Sequence, residues 1–196
     1  MTATYSGQPG TTQSLKSEQQ NTAFQTFPVT LISLSHGVHD AYFAFIPAIL
    51  PVLTEMLGLT KFMAGLLSVF TQLPSFIQPV IGYLADRKNL RNAFIVAPAA
   101  SGIALSLLGI SNVYLVLALL ILAAGISSSF FHSIGPVITG FISGRNLGRG
   151  MSFWMMGGEF GRFVGPLVAV AAVSALTIRG LPWLMIGGLL MSAALY

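Results

Sequence analysis

Apolar runs long enough to cross a lipid bilayer recur along this chain with only short polar breaks between them, and no other feature limits its possible folds so tightly. A hydrocarbon core of ~30 Å takes about 20 residues of helix to cross, and a backbone inside it must satisfy its own hydrogen bonds. Helices do so within one segment. Hydrophobic residues make up 54% of the sequence and charged residues only 7%, whereas a soluble domain carries about 25% charged residues. The chain therefore lacks the means to build a water-facing surface, and the expected fold is an all-α integral membrane bundle.

Reading each run from one polar break to the next places spans at Phe27 to Leu53, Phe62 to Ala85, Ala93 to Ile110, Val113 to Phe141, Met151 to Ile178, and Leu181 to the end. The breaks are short, so consecutive helices should be antiparallel neighbours. Residues 1–27 are rich in Thr, Ser, Gln and Gly and lack the basic start and apolar core of a signal peptide. They are expected to form a disordered cytoplasmic tail, with residues 28–196 forming the six-helix bundle. The last run stops at Tyr196 while still apolar, so the chain is expected to be cut within or just after its sixth helix.

The net charge of +4 comes from dispersed Lys and Arg residues, most of them between apolar runs. That arrangement points to topology signals and not to nucleic-acid binding. With the amino terminus inside, the inner segments hold Lys16, Arg87, Lys88, Arg91, Arg145 and Arg149, and the outer ones only Lys61 and Arg179. Cytoplasmic loops carry the excess of positive charge, so the amino terminus is expected in the cytoplasm. Cysteine is absent, which excludes disulfides, thiolate metal sites and Cys nucleophiles.

Ionisable residues inside spans are costly, by at least ~2.5–3.5 kcal/mol at the bilayer centre, and are usually sheltered from lipid and often functional. His36, His39 and Asp40 in the first span lie at i, i+3 and i+4, which sets them on one helix face. That face should point into the bundle. Asp40 falls near mid-span, where a carboxylate could take and release a proton as hydration alternates, with a neighbouring His as relay. Hydrogen bonding to adjacent helices is the plainer alternative. Spacing alone also allows a metal set of two His and one Asp, but no second cluster in the sequence supports it and no metal is expected.

In the fifth span Glu159 and Arg162 are i, i+3 and can neutralise each other, while Gly157, Gly161 and Gly165 form a separate i, i+4, i+8 stripe suited to close helix packing. A helix with a small-residue face and a charged face should be buried on both. The pair could gate, contact substrate or simply fix packing. His132, late in the fourth span, is expected near the inner mouth, as a packing residue or a substrate contact.

The segment Gly82-Tyr83-Leu84-Ala85-Asp86-Arg87-Lys88-Asn89-Leu90-Arg91 resembles the G-x-L-A-D-R-x-G-R-[RK] loop signature of major facilitator superfamily transporters, departing from it at Asn89 and Leu90. Gly161-Arg162-Phe163-Val164-Gly165-Pro166 resembles the G-x-x-x-G-P core of that superfamily's antiporter motif. Ser35-His36 through Asp40 to Pro47 and Pro51, with Phe130-Phe131-His132 and Gly157-Gly158, look most like fosmidomycin-resistance-type efflux proteins.

That resemblance implies the six-helix half of a twelve-helix transporter, built of two inverted three-helix repeats with the first and fourth helices lining a central cavity. It also implies a gating role for Gly82, Asp86, Arg87 and Arg91, with Asp86 latching the cytoplasmic side against a second half and Gly82 permitting close approach. For the cations, positive-inside anchoring is the simpler reading. The expected function is secondary active transport, most simply proton-coupled efflux of a small organic compound. An uptake symporter, or a non-transporting receptor on the same fold, stays open. The expected partners are the bilayer, protons, a small-molecule substrate and a second six-helix half, with no cofactor. No G-x-S-x-G, H-E-x-x-H or paired intramembrane Asp motif occurs, so no enzyme is expected.

Overall fold

The computed structural model describes residues 23–196, so most of the expected amino-terminal tail, Lys16 included, lies outside the described residues. The described residues are helical apart from short joints, with no strand among them. Helices α1 (Thr26–Phe43) and α2 (Phe45–Leu57) make the first pass. The second comprises α3 (Lys61–Gln72), a 3-10 turn over Leu73–Ile77, and α4 (Gln78–Ala85). Helix α5 (Arg91–Ser106) ends in a 3-10 turn, Leu107–Ile110, and forms the third. Helices α6 (Tyr114–Ser143) and α7 (Leu147–Leu176) are the fourth and fifth. A 3-10 segment, Ile178–Leu184, leads into α8 (Met185–Leu195), the sixth.

By length and hydropathy, five continuous segments can cross a membrane, one of them Tyr114–Leu176 with 63 residues. A 3-10 turn at Gly144–Asn146 divides that segment. Gly144 takes φ 51 there, a left-handed value that glycine adopts at little steric cost. Each resulting helix has 30 residues, about 45 Å at ~1.5 Å per residue, enough for one crossing. The bundle thus has six passes. Proline sets two of the internal joints. Pro47 cannot donate to the Phe43 carbonyl, and α1 stops there; Pro74 lies in the 3-10 turn that separates α3 from α4.

The ends of the passes sort into two sets. The Gln25 amide donates to the Ile142 carbonyl at 3.1 Å, and the Arg149 guanidinium lies 4.4 Å from the Phe24 ring centre, so the start of α1 sits beside the α6–α7 turn. Ala85 and Leu90 pack in the same apolar cluster as Ile138 and Ile142, which brings the α4–α5 loop to that end. Arg87, Lys88, Arg91, Arg145 and Arg149 therefore gather at one end of the bundle. At the other end, Gly109 lies against the Ile178 carbonyl beside Arg179.

The tightest packing joins α1 to α7. A Cβ on Gly157, Gly161 or Gly165 would overlap the carbonyl oxygen of Ser33, Gly37 or Ala41 respectively. Two small-residue stripes, each at i, i+4, i+8, thus bring backbone against backbone, the device that favours helix association where lipid removes the hydrophobic driving force. The expected burial of both α7 faces is only half met. Glu159 and Arg162 side chains are 62% and 52% exposed, because no other helix among the described residues covers that face. Two apolar clusters, one with Phe45, Ile49, Leu105 and Leu117, the other with Phe94, Ile134 and Trp154, pack the interior on either side of a polar layer.

Candidate functional site

That polar layer is centred on Asp40, whose side chain is only 5% exposed. Three basic groups from three helices surround its carboxylate. His36 Nε2, one turn back on α1, lies 3.3 Å from Oδ2. His132 Nε2 of α6 lies 3.2 Å from Oδ1. Arg162 of α7 donates its Nε–H to Oδ2 at 3.0 Å and its Nη1–H to Glu159 Oε1 at 2.9 Å, so one guanidinium serves two carboxylates.

The neighbours of His36 define its tautomer. Its Nδ1 lies 2.8 Å from the Trp154 carbonyl oxygen; that oxygen can only accept, so Nδ1 carries a hydrogen. The ring stacks on the Trp154 indole at 3.9 Å and 21°. A Cβ at Gly158 would strike the same ring, so glycine there is what admits it. With Nδ1 protonated, Nε2 of a neutral ring presents a lone pair toward Asp40, and it has no aligned hydrogen-bond partner. Two lone pairs facing each other in a buried site repel. The arrangement is favourable when a proton, on either side, lies between them.

Charge counting agrees. With both His rings neutral, Asp40, Glu159 and Arg162 sum to one negative charge. A single added proton brings the cluster to neutrality, the state least costly to hold in a low-dielectric layer.

The cluster opens on a cavity of about 540 Å³, lined by Asp40, His132, Arg162 and Pro166. Thr71, Gln72, Ser75 and Gln78 from the second pass and Ser128 from α6 add uncharged hydrogen-bonding groups. Sequence reasoning missed this wall. The available signal was a pair of Gln residues flanking Pro74 inside an apolar run, where an amide has no reason to face lipid.

The sequence-derived candidates are not all together. His132 pairs with mid-helix Asp40, deeper than the inner mouth where its position late in the span suggested, because span position does not say which neighbour a residue meets. His39 does not touch Asp40; its ring is buried with neither nitrogen paired, and stacks on Phe131 at 4.2 Å and 13°. The possible metal-ligating trio is correspondingly His36, Asp40 and His132, and not the His36, His39 and Asp40 that spacing allowed. Gly82, Asp86, Arg87 and Arg91 lie at the basic end, away from the cluster. Arg87 covers the Tyr83 ring at 4.3 Å, Asn89 Oδ1 accepts the Arg91 N–H at 3.0 Å, and Asp86 forms no ion pair among the described residues. Nothing among the described residues approaches a Cβ placed on Gly82.

Residues 32–196 match the family profile of the Major Facilitator Superfamily. The chain belongs to that family. It is therefore a multi-pass membrane protein of a transporter family and not an enzyme. It is similar to the fosmidomycin resistance protein of Escherichia coli (strain K12), with 29% identity over 160 residues that cover 81% of this chain and 39% of that protein. It is similar also to an uncharacterized MFS-type transporter, YfnC, of Bacillus subtilis (strain 168), at 25% over 159 residues, 80% of this chain and 39% of that one. The chain thus spans about two fifths of the length of these relatives. No solved structure matches it.

Proposed function

We propose that this six-helix unit is one half of a proton-coupled secondary transporter that exports a small organic compound across a bacterial inner membrane, with its amino terminus and its basic end in the cytoplasm. The observation that carries this reading is the buried Asp40 carboxylate held between His36, His132 and Arg162 at the wall of the cavity. Such a group changes charge only by gaining or losing a proton, and the cavity supplies the water route.

Ionised Asp40 presents its carboxylate at the cavity wall to a basic or hydrogen-bond-donating group on the substrate, while Thr71, Gln72 and Gln78 bind the polar remainder. A proton reaching Asp40 from the outer side removes that acceptor and releases the substrate, so proton and substrate occupy the site in turn, as export against an inward proton gradient requires. The resemblance to a resistance protein supports export, and the uncovered Glu159–Arg162 face supports a second half packed against α7.

Asp40→Asn in the whole protein tests the coupling. Asn keeps shape and hydrogen bonding but cannot titrate, so accumulation driven by a pH gradient in proteoliposomes should be lost while substrate exchange without a gradient survives. Full gradient-driven accumulation with an unchanged pH profile would reduce Asp40 to a packing residue.

A further inference from the structure

We propose that His36, Asp40 and His132 form a binding site for a divalent transition-metal cation of the zinc type, which competes with Arg162 for Asp40. The inference rests on geometry and does not depend on what the protein transports.

The ligand set is of the right chemistry. Two imidazoles and one carboxylate suit Zn²⁺ and its neighbours over Mg²⁺ or Ca²⁺, which prefer all-oxygen sites. The three ligand atoms lie within 4.8 Å of one another. His36 Nε2 to Asp40 Oδ2 is 3.3 Å and His132 Nε2 to Asp40 Oδ1 is 3.2 Å, while bonds of about 2.0–2.1 Å in a tetrahedron set ligands about 3.3–3.4 Å apart. The two contacts fall on different carboxylate oxygens, so a bound cation would draw the three side chains together around one of them or be held by both.

An independent observation points the same way. His36 Nε2 is buried, unpartnered and aimed into the cluster, and its other nitrogen donates to the Trp154 carbonyl. A ligating His commonly gives its second N–H to such a carbonyl, which fixes the tautomer and the ring orientation. Stacking on Trp154 holds the ring in that pose. The cavity beside Asp40 and His132 leaves the fourth coordination position to water.

Arg162 is the competitor, since its guanidinium donates to the same Asp40 oxygen that His36 faces. Its second contact, on the exposed Glu159, lets it swing aside without losing a carboxylate partner. A cation in the site ties α1 to α6 and blocks protonation of Asp40, so it acts as an inhibitor of any cycle that needs either to change.

The chain has three His and no Cys, and the third, His39, has its ring stacked on Phe131. Protein purified without a polyhistidine tag therefore offers no other imidazole or thiolate set. Trp154 is a built-in reporter, so the experiment uses the full chain carrying Trp183→Phe, titrated with ZnCl₂ in detergent and read by Trp fluorescence and by calorimetry. We expect saturable binding of one zinc per chain, no response to millimolar Mg²⁺, a loss of affinity of at least about tenfold in His132→Asn and in Asp40→Asn, and a gain in Arg162→Ala. His132 is partly exposed to the cavity, so its variant carries the test even if Asp40→Asn folds poorly. No saturable heat and no fluorescence change with zinc, or equal affinity in the parent and His132→Asn, would overturn the proposal.

Discussion

Asp40 was readable from sequence as the residue most in need of a partner, but its partners were only partly so. The i, i+4 relation to His36 is local and survives into the structure. His39, also local in sequence, turns to stack on Phe131 instead, since residues one apart on a helix differ by about 100° and cannot both face one point. His132, Arg162 and the Trp154 carbonyl meet Asp40 or His36 only through packing of α6 and α7 on α1, which no spacing rule reports. The charge count at this cluster makes a prediction for Glu159. Glu159→Gln removes one negative charge beside Arg162 and frees that guanidinium for Asp40 alone, so the cluster becomes neutral without an added proton. The midpoint of pH-dependent transport should therefore move to lower pH. Arg162 lies between Glu159 and Asp40 and offsets much of that field, so the move should be about one pH unit or less. A midpoint shifted to higher pH, measured in proteoliposomes across a pH series, would show that Glu159 does not act through this charge balance.

Among the elements, α1 and α7 depend on one another through the mated stripes Ser33-Gly37-Ala41 and Gly157-Gly161-Gly165. The α7 stripe stands out in sequence because three glycines recur every fourth residue. Its α1 counterpart does not, because a Ser, a Gly and an Ala in an apolar run look like ordinary filler beside His36 and Asp40. The structure separates two kinds of glycine that the sequence treats alike. In Gly161→Ala the new methyl meets the Gly37 backbone, which cannot move without parting the helices, and this should outweigh the gain in helix propensity from Ala of about 0.8–1.0 kcal/mol. Overpacking of this sort costs about 1–3 kcal/mol, and should lower the thermal unfolding midpoint in detergent. Gly82→Ala, whose methyl meets nothing among the described residues, should leave that midpoint unchanged or slightly raised. Equal destabilisation of the two would mean that α1 and α7 are not in backbone contact.

At the scale of the whole molecule, the number of passes was legible from apolar length, and the structure adds that alternate ends of those passes gather the basic residues at one face of the bundle. The order in which helices neighbour one another was not legible, since lipid-facing and buried apolar surfaces have the same composition. Charge segregation makes the orientation testable. Lys61 and Arg179 lie at the end opposite Arg87, Lys88, Arg91, Arg145 and Arg149, and the excess of positive charge belongs on the cytoplasmic side. The parent chain has no Cys, so a single one placed at position 88 or at position 61 is the only target for a thiol reagent. An impermeant maleimide added to intact cells should label Lys61→Cys and spare Lys88→Cys, with both labelled once the membrane is permeabilised. Lys88 is exposed and lies in the loop between α4 and α5, beyond the ordered helix ends, so protection there would report sidedness and not burial. Labelling of Lys88→Cys from outside with Lys61→Cys protected would invert the orientation, placing the basic end outside and requiring some other force than positive charge to set it.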